Sequence, residues 1–187
     1  MKKLAVIFPG IGYHTDKPLL YYSKKIASDM GYEILEVPYK GFPKKVKGSA
    51  EKMEQVFQIA MSQTESVLSQ TEFDRYEDVL FISKSVGTAV AAAFAKKHSI
   101  KARHIYYTPV KESTSVLLCP GIVFHGTKDG WVETGYLKKV CEEKQLPLYI
   151  TENGNHSLEN GDTLEDLRNL LEVMKQTQDY IGQFPME

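Results

Sequence analysis

Cysteine is nearly absent: Cys119 and Cys141 are the only two in 187 residues. Their spacing matches neither a zinc site nor a redox pair, and two thiols build no disulfide framework. A disulfide-stapled secreted scaffold is therefore excluded, and a reducing cytoplasm is the expected compartment. Cys119 closes an apolar run ahead of Pro120 and is expected to pack inside. An excess of one charge is also missing. Lys and Arg total 23 against 24 acidic residues, a net charge of −1. That balance gives no general attraction for nucleic acid or anionic lipid. Long apolar runs are missing too, and no stretch approaches the ~20 residues of a membrane span. The segment Leu4–Phe8 follows two lysines as a signal peptide would. It is cut short at Pro9-Gly10, and no small-residue cleavage site follows. No repeat, linker or low-complexity stretch divides the chain, so a single domain over 1–187 is expected.

What is present is ordinary for a packed α/β protein: 42% apolar and 25% charged residues. Leu4–Phe8 is a continuous apolar run, as a strand covered on both faces requires. Asp16 and Pro18 signal a helix to about Met30-Gly31, and Tyr32–Val37 reads as a second strand. Residues 38–48 carry proline, lysine and glycine and form a loop, after which Ser49 caps a long helix. Glu77–Ser83 is a third strand, followed by a helix rich in small residues through Ala95. Arg103–Thr108, Gly121–His125 and Leu148–Thr151 complete six strands. A short helix is expected over 111–116, and longer ones over 133–144 and from Thr163 to Tyr180. Asp162 and the acidic residues after it suit the start of that last helix. Strand and helix alternate throughout. The pattern predicts a three-layer α/β/α sandwich around a mainly parallel six-stranded sheet.

In such sheets ligands bind beyond the carboxyl ends of the strands. Three loops there carry reactive residues. After the third strand comes Ser83-Lys84-Ser85-Val86-Gly87-Thr88, with Ser85 at the apex of a strand–turn–helix. Ser83 stands where the G-x-S-x-G pattern has its first glycine. After the fifth strand comes His125-Gly126-Thr127-Lys128-Asp129-Gly130, whose carboxylate can accept from a histidine Nδ1–H. After the sixth comes Asn153-Gly154-Asn155-His156. A histidine there can serve as the base that a serine hydroxyl needs at neutral pH. Each has a plainer reading: a capped turn, an Asp-Gly turn, an exposed histidine. Together they run Ser, Asp, His, each after its own strand. His14 and His125 share that edge as secondary candidates for substrate contact.

At this point the chain resembles the α/β-hydrolase superfamily, in a minimal version. Phe8-Pro-Gly-Ile-Gly-Tyr13 resembles the family's oxyanion loop, with Pro9 where histidine is usual. Residues 83–88 resemble its nucleophile elbow, His125–Asp129 its acid loop and Gly154–His156 its base loop. The family's first two strands have no counterpart, and no long insertion forms a cap domain. The resemblance implies a serine hydrolase cleaving a carboxylic ester or thioester, with Ser85, Asp129 and His156 as its triad. The backbone N–H groups of Ile11 and Val86 are the expected oxyanion donors. Tyr13, His14, Trp131 and Tyr39 are candidates for lining a substrate pocket. The chemistry needs no metal and no cofactor, and the partner expected is a small-molecule acyl substrate. Oligomeric state is open, a homodimer included. Three other readings stay open: an acyltransferase, a hydrolase-like scaffold that binds without catalysis, and a nucleotide-binding module. The last rests on Gly10-Ile-Gly12 after the first strand, but Thr15 occupies the third glycine position.

Overall fold

The computed structural model describes residues 2–183. Six strands form one sheet: β1 (Lys3–Phe8), β2 (Tyr32–Glu36), β3 (Asp78–Lys84), β4 (Arg103–Tyr107), β5 (Gly121–Gly126) and β6 (Leu148–Thr151). Their order is β2-β1-β3-β4-β5-β6, and every pair is parallel. Among the described residues five α-helices accompany them, the first four between strands and the fifth after β6: α1 (Pro18–Asp29), α2 (Ala50–Leu68), α3 (Val86–Lys97), α4 (Thr134–Glu143) and α5 (Thr163–Gly182). Among the described residues, no helix is long and apolar enough to cross a membrane.

The strand order decides which face each helix covers. From β1 the chain steps one way to β2, then crosses back over β1 to β3 and continues outward. Right-handed crossovers put helices of opposite step direction on opposite faces. Accordingly Leu19, Leu20, Val173 and Met174 of α1 and α5 pack with Ala5, Ile7, Leu80 and Ile82 on one face. On the other, Ala60, Val90 and Phe94 of α2 and α3 pack with Leu4, Val6, Val79 and Phe81. Alternate residues of β1 and β3 thus feed two cores, which is why both strands read as unbroken apolar runs.

Capping matches the sequence. The Ser49 hydroxyl accepts from Lys52 N–H at 3.3 Å, and Asp162 Oδ1 accepts from Leu164 and Glu165 N–H at 3.0 Å. Glu133, expected inside α4, instead caps it by accepting from Gly135 and Tyr136 N–H. The helix expected over 111–116 shrinks to a 3₁₀ turn at Lys111–Ser113. Cys119 is a correction. Leu117 faces the core beside α4, but Cys119 lies two residues on, in the exposed loop turning into β5. Cys141, on α4, is the buried thiol.

Candidate active site

The strand order reverses between β1 and β3, where the connections leave in opposite directions. A crevice opens there at the carboxyl ends. The register sets Phe8 beside Ser83. The residues that follow, Pro9-Gly10 and Lys84-Ser85, are therefore neighbours.

Ser85 turns the chain from β3 into α3 with φ 56° and ψ −125°. For a non-glycine residue such a conformation costs roughly 1–3 kcal/mol and persists only where the surroundings impose it. Here Ser85 N–H donates to Tyr107 O (3.0 Å), and Thr88 donates to Ser85 O through both its N–H (3.0 Å) and its hydroxyl (2.6 Å). A Cβ at Gly87 would lie 2.4 Å from Pro9 O and 2.5 Å from Phe8 O. Only glycine lets α3 start this close to β1. The position before the turn tolerates Ser83 because its hydroxyl is buried but donates to Ile105 O (3.0 Å).

The acid and base loops meet just as tightly. A Cβ at Gly126 would stand 2.2 Å from Gly154 O. Lys128 N–H donates to that same oxygen (2.9 Å), and Thr108 Oγ1–H donates to His156 O (2.9 Å). The imidazole is thereby aimed. Its Nδ1–H donates to Asp129 Oδ2 (2.8 Å), and its Nε2 accepts from Ser85 Oγ–H (2.8 Å). The proton positions follow from the partners: a carboxylate can only accept. The other carboxylate oxygen of Asp129 accepts from Trp131 N–H at 2.9 Å. Asp129 is buried, while the His156 side chain keeps 24% exposure and so stays within reach of solvent. Burial lowers the His156 pKa first; the Asp129 hydrogen bond opposes this, and the Lys84 and Lys47 charges push it down further. The imidazole therefore stays in its neutral, proton-accepting form to a lower pH than an ordinary histidine.

The two expected backbone donors lie on segments next to Ser85. Val86 N–H is at the first position of α3, where no intrahelical acceptor exists. Ile11 sits at the tip of a turn closed by mutual Gly10–Tyr13 hydrogen bonds of 3.1 and 3.4 Å. A Cβ on Gly10 would lie 2.9 Å from Ser85 Cβ, so this turn leans on the elbow. Neither N–H meets an acceptor among the described residues. The same turn removes the basis for a dinucleotide fingerprint. That motif must open a helix at its glycines, whereas α1 begins only at Pro18.

Of the four expected pocket residues, the structure brings one to the site. The Trp131 ring centroid lies 5.4 Å from that of His156. Tyr13 is buried in the core, where its hydroxyl accepts from Leu19 N–H (3.1 Å). Tyr39 turns inward against Phe42 and α2, with its hydroxyl 3.2 Å from Thr64 Oγ1. His14 points to solvent and accepts from Asp16 N–H (3.3 Å). Following a strand at the right edge was the ground for all four. That ground does not say whether a side chain turns into the core, to solvent or to the crevice. His125, a secondary candidate, is wholly buried with Nε2 2.9 Å from Thr134 Oγ1 and Nδ1 4.0 Å from Asp129.

Lys84 and Thr108 are not among the site residues the sequence predicts. Lys84 follows Leu80 and Ile82 at alternate positions of β3, so period-2 reading places it on the buried α1/α5 face. Thr108, with φ 42°, gave no such signal. A concavity of about 830 Å³ lies elsewhere, lined by residues such as Leu68, Phe73 and Phe94. It carries none of the residues just described.

No protein-family model matches the chain, and no curated protein is similar to it in sequence. Solved structures are similar in fold. Est1E from Butyrivibrio proteoclasticus, determined with ferulic acid bound, superposes with a TM-score of 0.72 at 12% identity, over 97% of this chain and 88% of its own. XC6422 from Xanthomonas campestris, described as an α/β serine hydrolase without lid, gives 0.70 at 14%, over 99% and 83%. Mouse α/β hydrolase domain-containing protein 10 gives 0.67 at 11%, over 97% and 90%. The chain has the α/β-hydrolase fold, in a version without a cap.

Proposed function

We propose that this protein is a serine hydrolase that cleaves a carboxylic ester or thioester through an acyl-enzyme on Ser85. The observation that carries the reading is one unbroken chain of hydrogen bonds. It runs from Ser85 Oγ through His156 to Asp129 and starts at a strained elbow.

Each part has a physical task. A serine hydroxyl is a weak nucleophile, so its proton must leave as the new bond forms. His156 Nε2 takes that proton, and Oγ attacks the substrate carbonyl. The oxygen gains charge as the carbon becomes tetrahedral, and the N–H groups of Ile11 and Val86 receive it. Donors fixed in advance need no reorganisation, and one of them is worth about 3–4 kcal/mol in the transition state. The imidazolium is stabilised by Asp129, which also holds the Nδ1–H tautomer. His156 then gives its proton to the departing alcohol or thiol, and the acyl–Ser85 ester remains. Water attacks that ester, His156 takes the water's proton, and the acid departs as Oγ regains a hydrogen. No step calls for a metal or cofactor.

The test is labelling with a fluorophosphonate, which reacts with an activated serine. Wild-type protein should label, and Ser85→Ala should not. On an activated ester, Ser85→Ala should lower kcat by roughly 10⁴- to 10⁶-fold. Equal labelling of both proteins would overturn the assignment. An unlabelled, inactive wild type would point instead to a scaffold that binds without catalysis.

A further inference from the structure

Two lysines lie near Ser85, Lys84 directly before it in the chain and Lys47 beside the Trp131 ring, and neither is used by the mechanism above. Lys84 directly precedes the nucleophile and is 1% exposed. Its Nζ lies 4.9 Å from the centroid of the Tyr13 ring. Among the described residues, no carboxylate at ion-pair distance and no hydrogen-bond acceptor meets it. Burying nearly all of a lysine side chain with no carboxylate beside it is costly, so the position calls for an explanation. The second is Lys47. Its Nζ is 5.4 Å from the Trp131 ring centroid, and a Cβ on Gly130 would come within 2.9 Å of it. The Lys47 ammonium therefore stands over the Asp129–Trp131 turn, one ring away from His156. It too lacks a carboxylate partner among the described residues. Ile11, Phe42 and Trp131 pack against an apolar cluster that includes Val86.

The opposing charges are few. Asp129 and Glu159 act on Lys84 from a distance. Asp129 is already committed to His156. The charges of both lysines act on His156.

We propose that the site takes an ester or thioester carrying a carboxylate, or a similar anionic group, on one of its two arms. Lys47 meets the anion, and Lys84 adds positive potential from beneath the nucleophile. This rests on the serine-hydrolase reading and narrows it to a substrate class. Lys47 is exposed and acts as a surface lysine, while the charge of the buried Lys84 is less screened.

The experiment uses the whole chain and two matched pairs of esters. The first compares mono-4-nitrophenyl adipate with 4-nitrophenyl hexanoate, which puts the charge on the acyl arm. The second compares the hexanoyl ester of 4-hydroxybenzoate with that of its methyl ester, which puts the charge on the alcohol arm. In at least one pair the anionic member should have the higher kcat/KM, by about five- to tenfold at low salt. That ratio should shrink as ionic strength rises. It should also shrink in Lys47→Gln and, separately, in Lys84→Met. A ratio within one variant is unaffected by any loss of folded protein. Equal or better turnover of the neutral member in both pairs would overturn the proposal, as would a ratio unchanged in Lys47→Gln. Either result would leave the serine-hydrolase reading standing. A wild type that cleaves none of the four and takes no fluorophosphonate label would remove both.

Discussion

The strand β3 begins on Asp78 and ends on Lys84, and its two ends treat buried charge in opposite ways. Both residues lie on the α1/α5 face, with Leu80 and Ile82 between them. At the amino end Asp78 is matched in full. Arg103 grips it with two hydrogen bonds, Nε to Oδ1 at 3.1 Å and Nη2 to Oδ2 at 2.6 Å. Tyr32 donates to the same carboxylate. The remaining guanidinium donors reach Tyr180 O (2.7 Å) and Ile181 O (3.1 Å) at the carboxyl end of α5, where a helix favours a cation. Pairing outweighs burial and holds the Arg103 guanidinium protonated. At the carboxyl end Lys84 has an aromatic face and distant carboxylates. Burial brings its pKa down to about 7. One end of the strand is satisfied and locks the sheet to the last helix. The other has no ion-pair partner and lies beside the strained serine.

The comparison breaks most sharply at Asp78. Asp78→Ala strands the Arg103 charge in a buried setting, and removing one partner of such a pair costs about 3–5 kcal/mol. Denaturant melts should show that loss, while fluorophosphonate labelling of Ser85 in the protein that remains folded should persist. A loss under 1 kcal/mol would mean the amino end is not the lock described.

Lys84→Met should do the reverse. Replacing an unpartnered buried cation with an apolar chain of similar length should stabilise the protein at pH 7 by roughly 1–4 kcal/mol. The sign with pH follows from linkage. The folded pKa of about 7 lies below the ordinary lysine value of 10.5. Between those values the unfolded chain binds more protons than the folded one, so Lys84's contribution to stability grows as pH rises. It is complete above the unfolded pKa and is lost as pH falls towards 7. The stability gap between Lys84→Met and wild type should therefore narrow from pH 7 to pH 10. A gap that stays constant would show that Lys84 is not buried as a titrating ammonium.

The smallest effect is expected in the pH–rate profile. The acid limb of kcat/KM reports protonation of His156. Since the Lys84 charge opposes the imidazolium, Lys84→Met should move that limb to higher pH, by less than about one unit. Asp78→Ala, at the far end of the strand, should leave it in place. A limb that stays put in Lys84→Met, or moves down, would separate Lys84 from the site.

Much of this arrangement was legible in the sequence because it is local. Apolar runs, caps and breakers mark strands and helices within a few residues. The alternation of elements then dictates a parallel sheet whose carboxyl edge gathers the loops at 85, 129 and 156. Trp131 was legible as well, two residues beyond the acid. The failures share a cause. Tyr13 and Tyr39 sit in loops at the correct edge but fold back into the two cores. His14 turns outward, and Cys119 sits just past an apolar run that does go in. Loop side chains follow no period, so nothing local tells which way they face. Lys84 is the opposite case. Its direction was readable from strand alternation, but a lysine in an apolar pattern is easily set aside as a strand end.

The order of elements, the turn at Ser85 and the glycines that permit close approach were determined by the sequence alone. They depend on backbone sterics and on periodicity. The tertiary structure decided what depends on distance across the fold. It brought His156 to 2.8 Å from both Ser85 and Asp129, set Lys47 above Trp131, and gave Asp78 a partner while leaving Lys84 without one. Those relations join residues far apart in the chain. They arise because two cores and a reversal of strand order fix where each loop ends.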